Sequence, residues 1–361
     1  MALTGTVTAF FLYDVGEAID LAAVTRLIAA STAARLAPKP TTPPYVQYAQ
    51  PPIAFDGTAV HAPDIGGFRV RFKTFDYGVI SVSLTRPVPP TWDALLENGL
   101  TWHDNLSLAA AADAACRALV TQLADAVNHP RSDFLSEDYW VFTVTGADDV
   151  TTAEEVVTHH GAQLAQLLRA EREALSGQER EEALRHRISY LATDLVIPTW
   201  NGAFVYDTEA GAQAALEILE FANSQLLEFR YYDGLLDAEL ARIYAQLQGA
   251  GWRWSWFGRR YAKAAQQVHS LFIDVNELTD KAENALKIAG DMYAARLFNL
   301  AAARLGLDQW KGNVREKLKT LDDIYRFAVD QTAMTRGEFL ELTIVLILVF
   351  ELILILAGIM T

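Results

Sequence analysis

The feature that most limits the folds open to this chain is its end, "ELTIVLILVFELILILAGIMT", residues 341–361. Two uncharged, mostly aliphatic runs, 342–350 and 352–360, are separated by one carboxylate, Glu351. A helix over 342–360 would be about 28 Å long at 1.5 Å per residue. That length approaches the roughly 30 Å of a hydrocarbon core. A helix buried in a protein core seldom stays apolar on every side for so long. The segment therefore reads as a single C-terminal transmembrane helix, an anchor over 338–361 with the bulk of the chain before it.

An acid near mid-membrane costs something like 2.5–3.5 kcal/mol on insertion scales, which the apolar neighbours of Glu351 offset. Its carboxyl would be protonated, or paired with a donor on another helix. Three readings stay open for it: a tolerated side chain without a role, a helix–helix contact, or a relay for a proton or ion. The sequence offers one such span, so a contact partner would come from a second copy or from another membrane protein. Glu341, ten residues earlier, stands at the start of the same segment.

Elsewhere the chain is acidic, with 45 Asp and Glu against 30 Lys and Arg and a net charge of −15. Such a surface repels nucleic acid and anionic lipid, so either contact would need a local basic patch. One cysteine, Cys116, excludes an intramolecular disulfide and a Cys-rich metal site. The opening "MALTGTVTAFFLYDVGEAIDL" has no basic region of the kind that starts a signal or transit peptide. The bulk is therefore expected in the cytoplasm, held at the cell (inner) membrane by one C-terminal pass.

The first 206 residues read as an α+β head. "TVTAFFLYDV" (6–15), "FRVRFKTF" (68–75), "YGVISVSL" (77–84) and "YWVFTVTG" (139–146) have the β-branched and aromatic content of strands. The second and third of these suggest a hairpin. Residues 18–32, 106–128 and 159–187 have helical spacing, the last with a break at Gly177. A Pro-rich stretch, 37–52, reads as a loop. Asn201–Gly202 lies between two β-rich runs and signals a hairpin, with Pro198 placing its strand at an edge or a bulge.

Residues 207–337 read as helices of a coiled coil. Leu271, Val275, Leu278, Ala282, Ala285, Ala289 and Met292 step by four and three, and Val314, Leu318, Leu321, Tyr325 and Ala328 repeat the rhythm. Three long helices with short connections should fold back on one another in antiparallel order. The fold class expected is thus α+β: an N-terminal α+β head, a long antiparallel helical coiled coil and a single C-terminal transmembrane helix. In that order the loop "WRWSWFGRR" returns to the membrane-proximal end. Its Trp252, Arg253, Trp254, Trp256, Phe257, Arg259 and Arg260 suit a membrane-surface or partner contact. They also suit stacking on single-stranded nucleic acid, or plain packing onto the coiled coil.

No nucleophile elbow, phosphate-binding glycine loop, dinucleotide fingerprint or zinc-binding His-Glu-x-x-His is present. His159 and His160 are adjacent and read as a surface pair, while His103 and His269 stand alone. Cys116 reads as a small core residue. No catalytic residue, metal site or cofactor is expected. Arg230, in "LLEFRYYDGLLD", has Glu228, Asp233 and Asp237 near it in sequence, and reads as half of an ion pair or as an anchor for an anionic ligand.

"FLELTIVLILVFELIL" resembles the C-terminal signature of the sporulation-protein RMD1 family, the DUF155 domain, with Glu341 and Glu351 at the family's spacing of two acids. "FKTFDYGVISVSL" is similar to its Phe-x-Tyr-Gly-Val-x-Val strand turn at Phe75, Tyr77, Gly78, Val79 and Val82. The stretch from "YLATDLVIPTWNG" to "LLEFRYYDGLLDAELARIY" is similar to the later strand and helical region. The resemblance implies an α+β head, a coiled coil and a C-terminal anchor, and implies no enzyme. The function expected is a non-enzymatic, tail-anchored scaffold, homo-oligomeric or in a complex, with Glu351 and Glu341 contributing to assembly in the membrane. The alternatives are an ion-translocation accessory that uses Glu351, or a ribosome or RNA tether that uses Arg253, Arg259 and Arg260.

Overall fold

A computed structural model describes residues 2–31, 39–40, 51–62, 66–103, 105–249, 273, 275–276 and 292–356. The chain divides into two compact units, the first of residues 1–231 and 278–311, the second of residues 232–277 and 312–361.

The first unit is built on a nine-stranded sheet. Its central strand β1 (Leu3–Asp14) pairs antiparallel with β7 (Val79–Pro87) on one side and β9 (Leu135–Ala147) on the other. Beyond β7 come β6 (Gly66–Thr74), β4 (Ile53–Asp56) and β3 (Lys39–Pro40), with β5 (Val60–Ala62) also on β6. Beyond β9 come β11 (Gly202–Tyr206) and β10 (Leu195–Pro198). The pairing of β11 with β9 is parallel, and the other pairings are antiparallel. A short second sheet joins β2 (Ala18–Ile19) to β8 (Val127–Asn128). The fold is mixed α/β, a large sheet with helices.

Side chains of a strand alternate between its two faces, and here the faces differ in chemistry. One face sends down Val7, Ala9, Phe11 and Tyr13 from β1, Val70 and Phe72 from β6, and Trp140, Phe142 and Val144 from β9. Helices supply much of the rest of that core, among them α1 (Leu21–Ser31), α2 (Trp92–His103), α3 (Leu106–Gln122) and α4 (Ala153–Arg169). Leu95, Leu108, Cys116, Leu119 and Leu164 are among their buried contributions. Each buried aliphatic or aromatic side chain of this kind stabilises by about 1.5–3 kcal/mol. Local signals fix the helix ends. Thr152 caps α4, accepting from the Glu155 amide while the Glu155 carboxylate reaches back to the Thr152 amide, a capping box. After α4, Ala170 turns left-handed at φ 52°, and α5 (Gly177–Arg185) starts at the glycine that marks the break.

The other face of the sheet is polar, and the first half of α6 (Glu209–Gly249) lies against it. The unit also holds α7 (Met292–Arg304), which sets Phe298 against Phe221 at 5.7 Å.

In the second unit the end of α6 runs beside α8 (Leu307–Leu356). Lys317 Nζ binds Asp233 and Asp237, each at 2.7 Å, and the Tyr325 hydroxyl donates to Glu239. Residue numbers rise together on both helices, so this pair is parallel. Leu236, Ile243, Val314, Leu318, Leu321 and Tyr325 are buried in it, together with Val275. The spacing of the α8 residues by four, three and four matches the seam of a helical pair. The middle leg of the expected antiparallel coiled coil falls almost entirely outside the described residues.

The expected C-terminal transmembrane helix is corrected. Among the described residues no helix is long and apolar enough to cross a membrane. The apolar stretch belongs to the 50-residue α8, whose earlier part is interspersed with charged residues. The expected location, a single C-terminal pass at the cell membrane with the bulk in the cytoplasm, rested on that span and loses its support. So does the intramembrane role of Glu341 and Glu351. Both lie on the backbone of α8, with side chains outside the described residues.

Candidate functional site

The polar face of the sheet is legible strand by strand. Alternate residues of β6 bring up Arg69, Arg71 and Lys73; β7 brings Ser81, Ser83 and Thr85; β1 brings Thr6 and Thr8; β9 brings Thr143 and Thr145. Register aligns them in rows. Arg69 sits opposite Thr85, which sits opposite Thr8. Arg71 sits opposite Ser83, and Thr6 opposite Thr143. The Thr8 and Thr85 hydroxyls bond to each other at 3.1 Å, and Ser83 donates to the Arg71 carbonyl at 3.1 Å. The Thr143 hydroxyl is buried and has no hydrogen-bond partner among the described residues.

Between this face and the first turns of α6 lies a groove of about 700 Å³. Ala212, Gln213, Leu216, Glu217 and Glu220 form its helical wall. At the inner end, the Lys73 ammonium donates to the carboxylates of both Glu217 and Glu220. Glu217 also accepts from Gln213 at 3.1 Å. Burial works against charge on Lys73, but the Glu220 and Glu217 carboxylates outweigh it and hold its pKa above the ordinary lysine value. Burial, helped by the charge of Glu220, pushes the Glu217 carboxyl up despite Lys73. Glu217 thus holds a proton more readily than an ordinary glutamate. Arg69 and Arg71 differ from Lys73, because neither guanidinium has a hydrogen bond or an ion pair among the described residues.

Farther along α6 is a second buried polar cluster. Arg131 Nε donates to Asp14 Oδ2 at 2.8 Å, and its guanidinium lies 3.7 Å above the Tyr231 ring. Asp14 is fully buried, and its second oxygen has no hydrogen-bond partner among the described residues. Burial raises the Asp14 pKa against the pull of Arg131. Glu228 is buried beside this pair. Burial first, then the charge of Asp14, push its carboxyl well above the usual range. The Tyr77 and Ser224 hydroxyls bond at 2.7 Å, and Ser224 donates on to the Phe221 carbonyl.

Arg230 forms an ion pair with Glu137 of β9 and lies 5.9 Å from the Trp310 ring. Its sequence neighbours go elsewhere: Asp233 and Asp237 to Lys317, Glu228 to the Asp14 cluster. His160 is not the surface residue its sequence suggests. It stacks on Trp92 at 4.2 Å and bonds Asp149 at 2.7 Å. Trp252, Arg253, Trp254, Trp256, Phe257, Arg259, Arg260 and His269 lie outside the described residues. Among the described residues no three metal-binding side chains cluster.

Sequence reading missed the groove, although the signal was there. "FRVRFK", "SVSLT" and "TVT" each alternate polar with apolar residues, and the polar set carries the groove. Alternation tells which residues share a face; it does not tell that a helix more than 120 residues later covers that face.

Residues 4–213 match the family described as "Uncharacterized protein MJ0711, N-terminal domain", and the chain belongs to that family. It is 26% identical over 229 residues to the uncharacterized protein MJ0711 of Methanocaldococcus jannaschii, across 63% of this chain and 68% of that protein. No solved structure matches the chain.

Proposed function

We propose that the chain is a non-enzymatic scaffold that assembles with copies of itself through its second unit. The finer likeness to the RMD1 (DUF155) family fits this reading, since it brings a head and a helical stalk and no catalytic motif. One observation carries the reading. The bonds of Lys317 to Asp233 and of Tyr325 to Glu239 set α6 and α8 in parallel with offsets of 84 and 86 residues. On that register α8 continues about six turns beyond the described end of α6. Within this overhang the six consecutive aliphatic side chains from Ile344 to Val349 are between 48% and 60% exposed. A contiguous apolar run of this kind marks an interaction surface. A second copy is the occupant proposed, because its identical overhang extends a helical seam already built on Leu318, Leu321 and Tyr325.

The test is the mass of the intact protein in solution by light scattering, for the wild type and for Leu346→Glu with Leu348→Glu. A defined oligomer that the double substitution dissociates is expected. A wild-type monomer at about 100 μM, where even a weak contact would register, would remove the reading.

A further inference from the structure

We infer that the groove between the polar sheet face and α6 is a binding site for a small phosphate ester that carries hydroxyl groups, such as a phosphorylated polyol.

The anionic end is set by Arg69 and Arg71. Alternate residues of one strand stand on the same face about 7 Å apart. Both guanidinium groups can therefore reach one phosphate, and each offers a planar fork of donors suited to its oxygens. Neither makes a hydrogen bond or an ion pair with another of the described residues, although the charge of Arg71 acts on the Glu217 carboxyl from a distance. Lys73, the third cation of the stripe, is spoken for by Glu217 and Glu220. A cation already held by two carboxylates is a wall of the site, and two unpaired guanidinium groups are a place for an anion.

The rest of the groove specifies what the anion is attached to. Hydroxyls of Thr6, Thr8, Ser83, Thr85 and Thr145 line it. The Thr143 side chain, only 2% exposed, adds a hydroxyl without a partner among the described residues. A buried polar group left unbonded costs about 1–3 kcal/mol, and a ligand hydroxyl would relieve that cost. Asp56 stands opposite Arg71 in register, and Glu209 lies at the rim. These carboxylates work against a bare anion. They also accept hydrogen bonds from hydroxyl groups, so they favour a ligand that donates as well as bears charge. Phe10 is the one aromatic side chain among the lining residues described, which leaves no stacking platform for a nucleobase. The volume of about 700 Å³ lies within the range of small-molecule sites.

The experiment is calorimetric titration of the full chain with glycerol 3-phosphate, ribose 5-phosphate and glucose 6-phosphate, with glucose and inorganic phosphate as the two halves of the ligand. At least one ester is expected to bind saturably, at least tenfold tighter than either half. Arg69→Ala with Arg71→Ala should weaken that ester at least tenfold. Thr143→Val should weaken the ester and leave inorganic phosphate unchanged, a readout that a loss of folding would not give. Three results would overturn the inference: no saturable binding of any ester up to about 10 mM, inorganic phosphate binding as tightly as the best ester, or full affinity in the doubly substituted protein. None of these touches self-assembly, which is read separately by mass.

Discussion

Lys73 on β6 and Glu217 on α6, 144 residues apart in the chain, form an ion pair whose side chains are 6% and 8% exposed. Glu220 binds the same ammonium from the next turn of the helix. Removing the cation leaves the Glu217 and Glu220 carboxyls buried without the ammonium that binds both, and breaking a buried pair from one side costs about 3–5 kcal/mol. Lys73→Met is therefore expected to lower stability by about that amount, measured by urea unfolding. Glu217→Gln should cost much less, because Glu217 is the carboxyl that burial inclines toward its neutral form and glutamine is its neutral shape. Equal losses in the two variants would refute the assignment of charge.

Glu228 gives a pH dependence whose sign can be worked out. Its folded pKa lies well above the ordinary glutamate value because of burial and Asp14. The folded state therefore binds this proton more tightly than the unfolded chain does. That contribution to stability is complete below the unfolded pKa and is lost as pH rises through the folded one. Glu228→Gln keeps the neutral form at every pH. It is expected to raise the melting temperature by roughly a few degrees at pH 8, with a gain that shrinks as the solution is acidified toward pH 4. A gain that grows on acidification would contradict burial as the cause.

Two glycines with left-handed backbone separate strain from crowding. Gly78 has φ 90°, and a Cβ there would lie 1.9 Å from the Gly16 carbonyl oxygen. Gly66 has φ 87°, and the nearest heavy atom to its Cβ would be the Arg86 guanidinium at 3.9 Å. Both alanine variants bear conformational strain of about 1–3 kcal/mol. Gly78→Ala must also displace backbone between β1 and the start of β7. Thermal melts should place Gly66→Ala within that range and Gly78→Ala clearly beyond it. Melting curves that coincide for the two would show that the contact with Gly16 yields at little cost.

Gly78 also shows what the sequence could reveal. "DYGVISVSL" marks a turn into a strand, and the structure has that turn, with the Phe75 amide donating to the Val79 carbonyl at 2.9 Å. Alternation in "FRVRFKTF" is enough to place β6 and assign its two faces. The hairpin at Asn201–Gly202 is present for a different reason from the one its dipeptide suggests. Neither residue has a positive φ, and the turn closes through Thr199, whose amide and hydroxyl both donate to the Gly202 carbonyl. Glycine is needed there because its Cβ would come within 2.6 Å of the Trp140 carbonyl on β9. The groove, the partner of Arg230 and the half-buried stacking of His160 all depend on contacts between distant segments, which periodicity does not encode. The apolar tail misleads for a related reason. Hydropathy over the tail takes no account of the long helix, charged in its earlier part, that carries residues 342–356.

His160 is another residue whose role only tertiary contacts define. Asp149 accepts from His160 at 2.7 Å and from the Trp92 indole at 3.3 Å, while the Trp92 and His160 rings stack with planes 16° apart. Burial opposes the charge on Asp149, but the hydrogen bonds from Trp92 and His160 outweigh it and hold the carboxyl below the usual aspartate range. A depressed carboxyl contributes stability above its unfolded pKa and loses it as pH falls through the folded value. Asp149→Asn is thus expected to destabilise by about 1–2 kcal/mol at pH 7, the scale of a hydrogen bond to a charged group. The deficit relative to wild type should narrow as pH falls below the ordinary aspartate pKa, the opposite trend to that of Glu228. Urea unfolding of both variants across pH 3 to 8 would show the two slopes side by side. A deficit at Asp149→Asn that stays constant with pH would mean that shape rather than charge makes this contact.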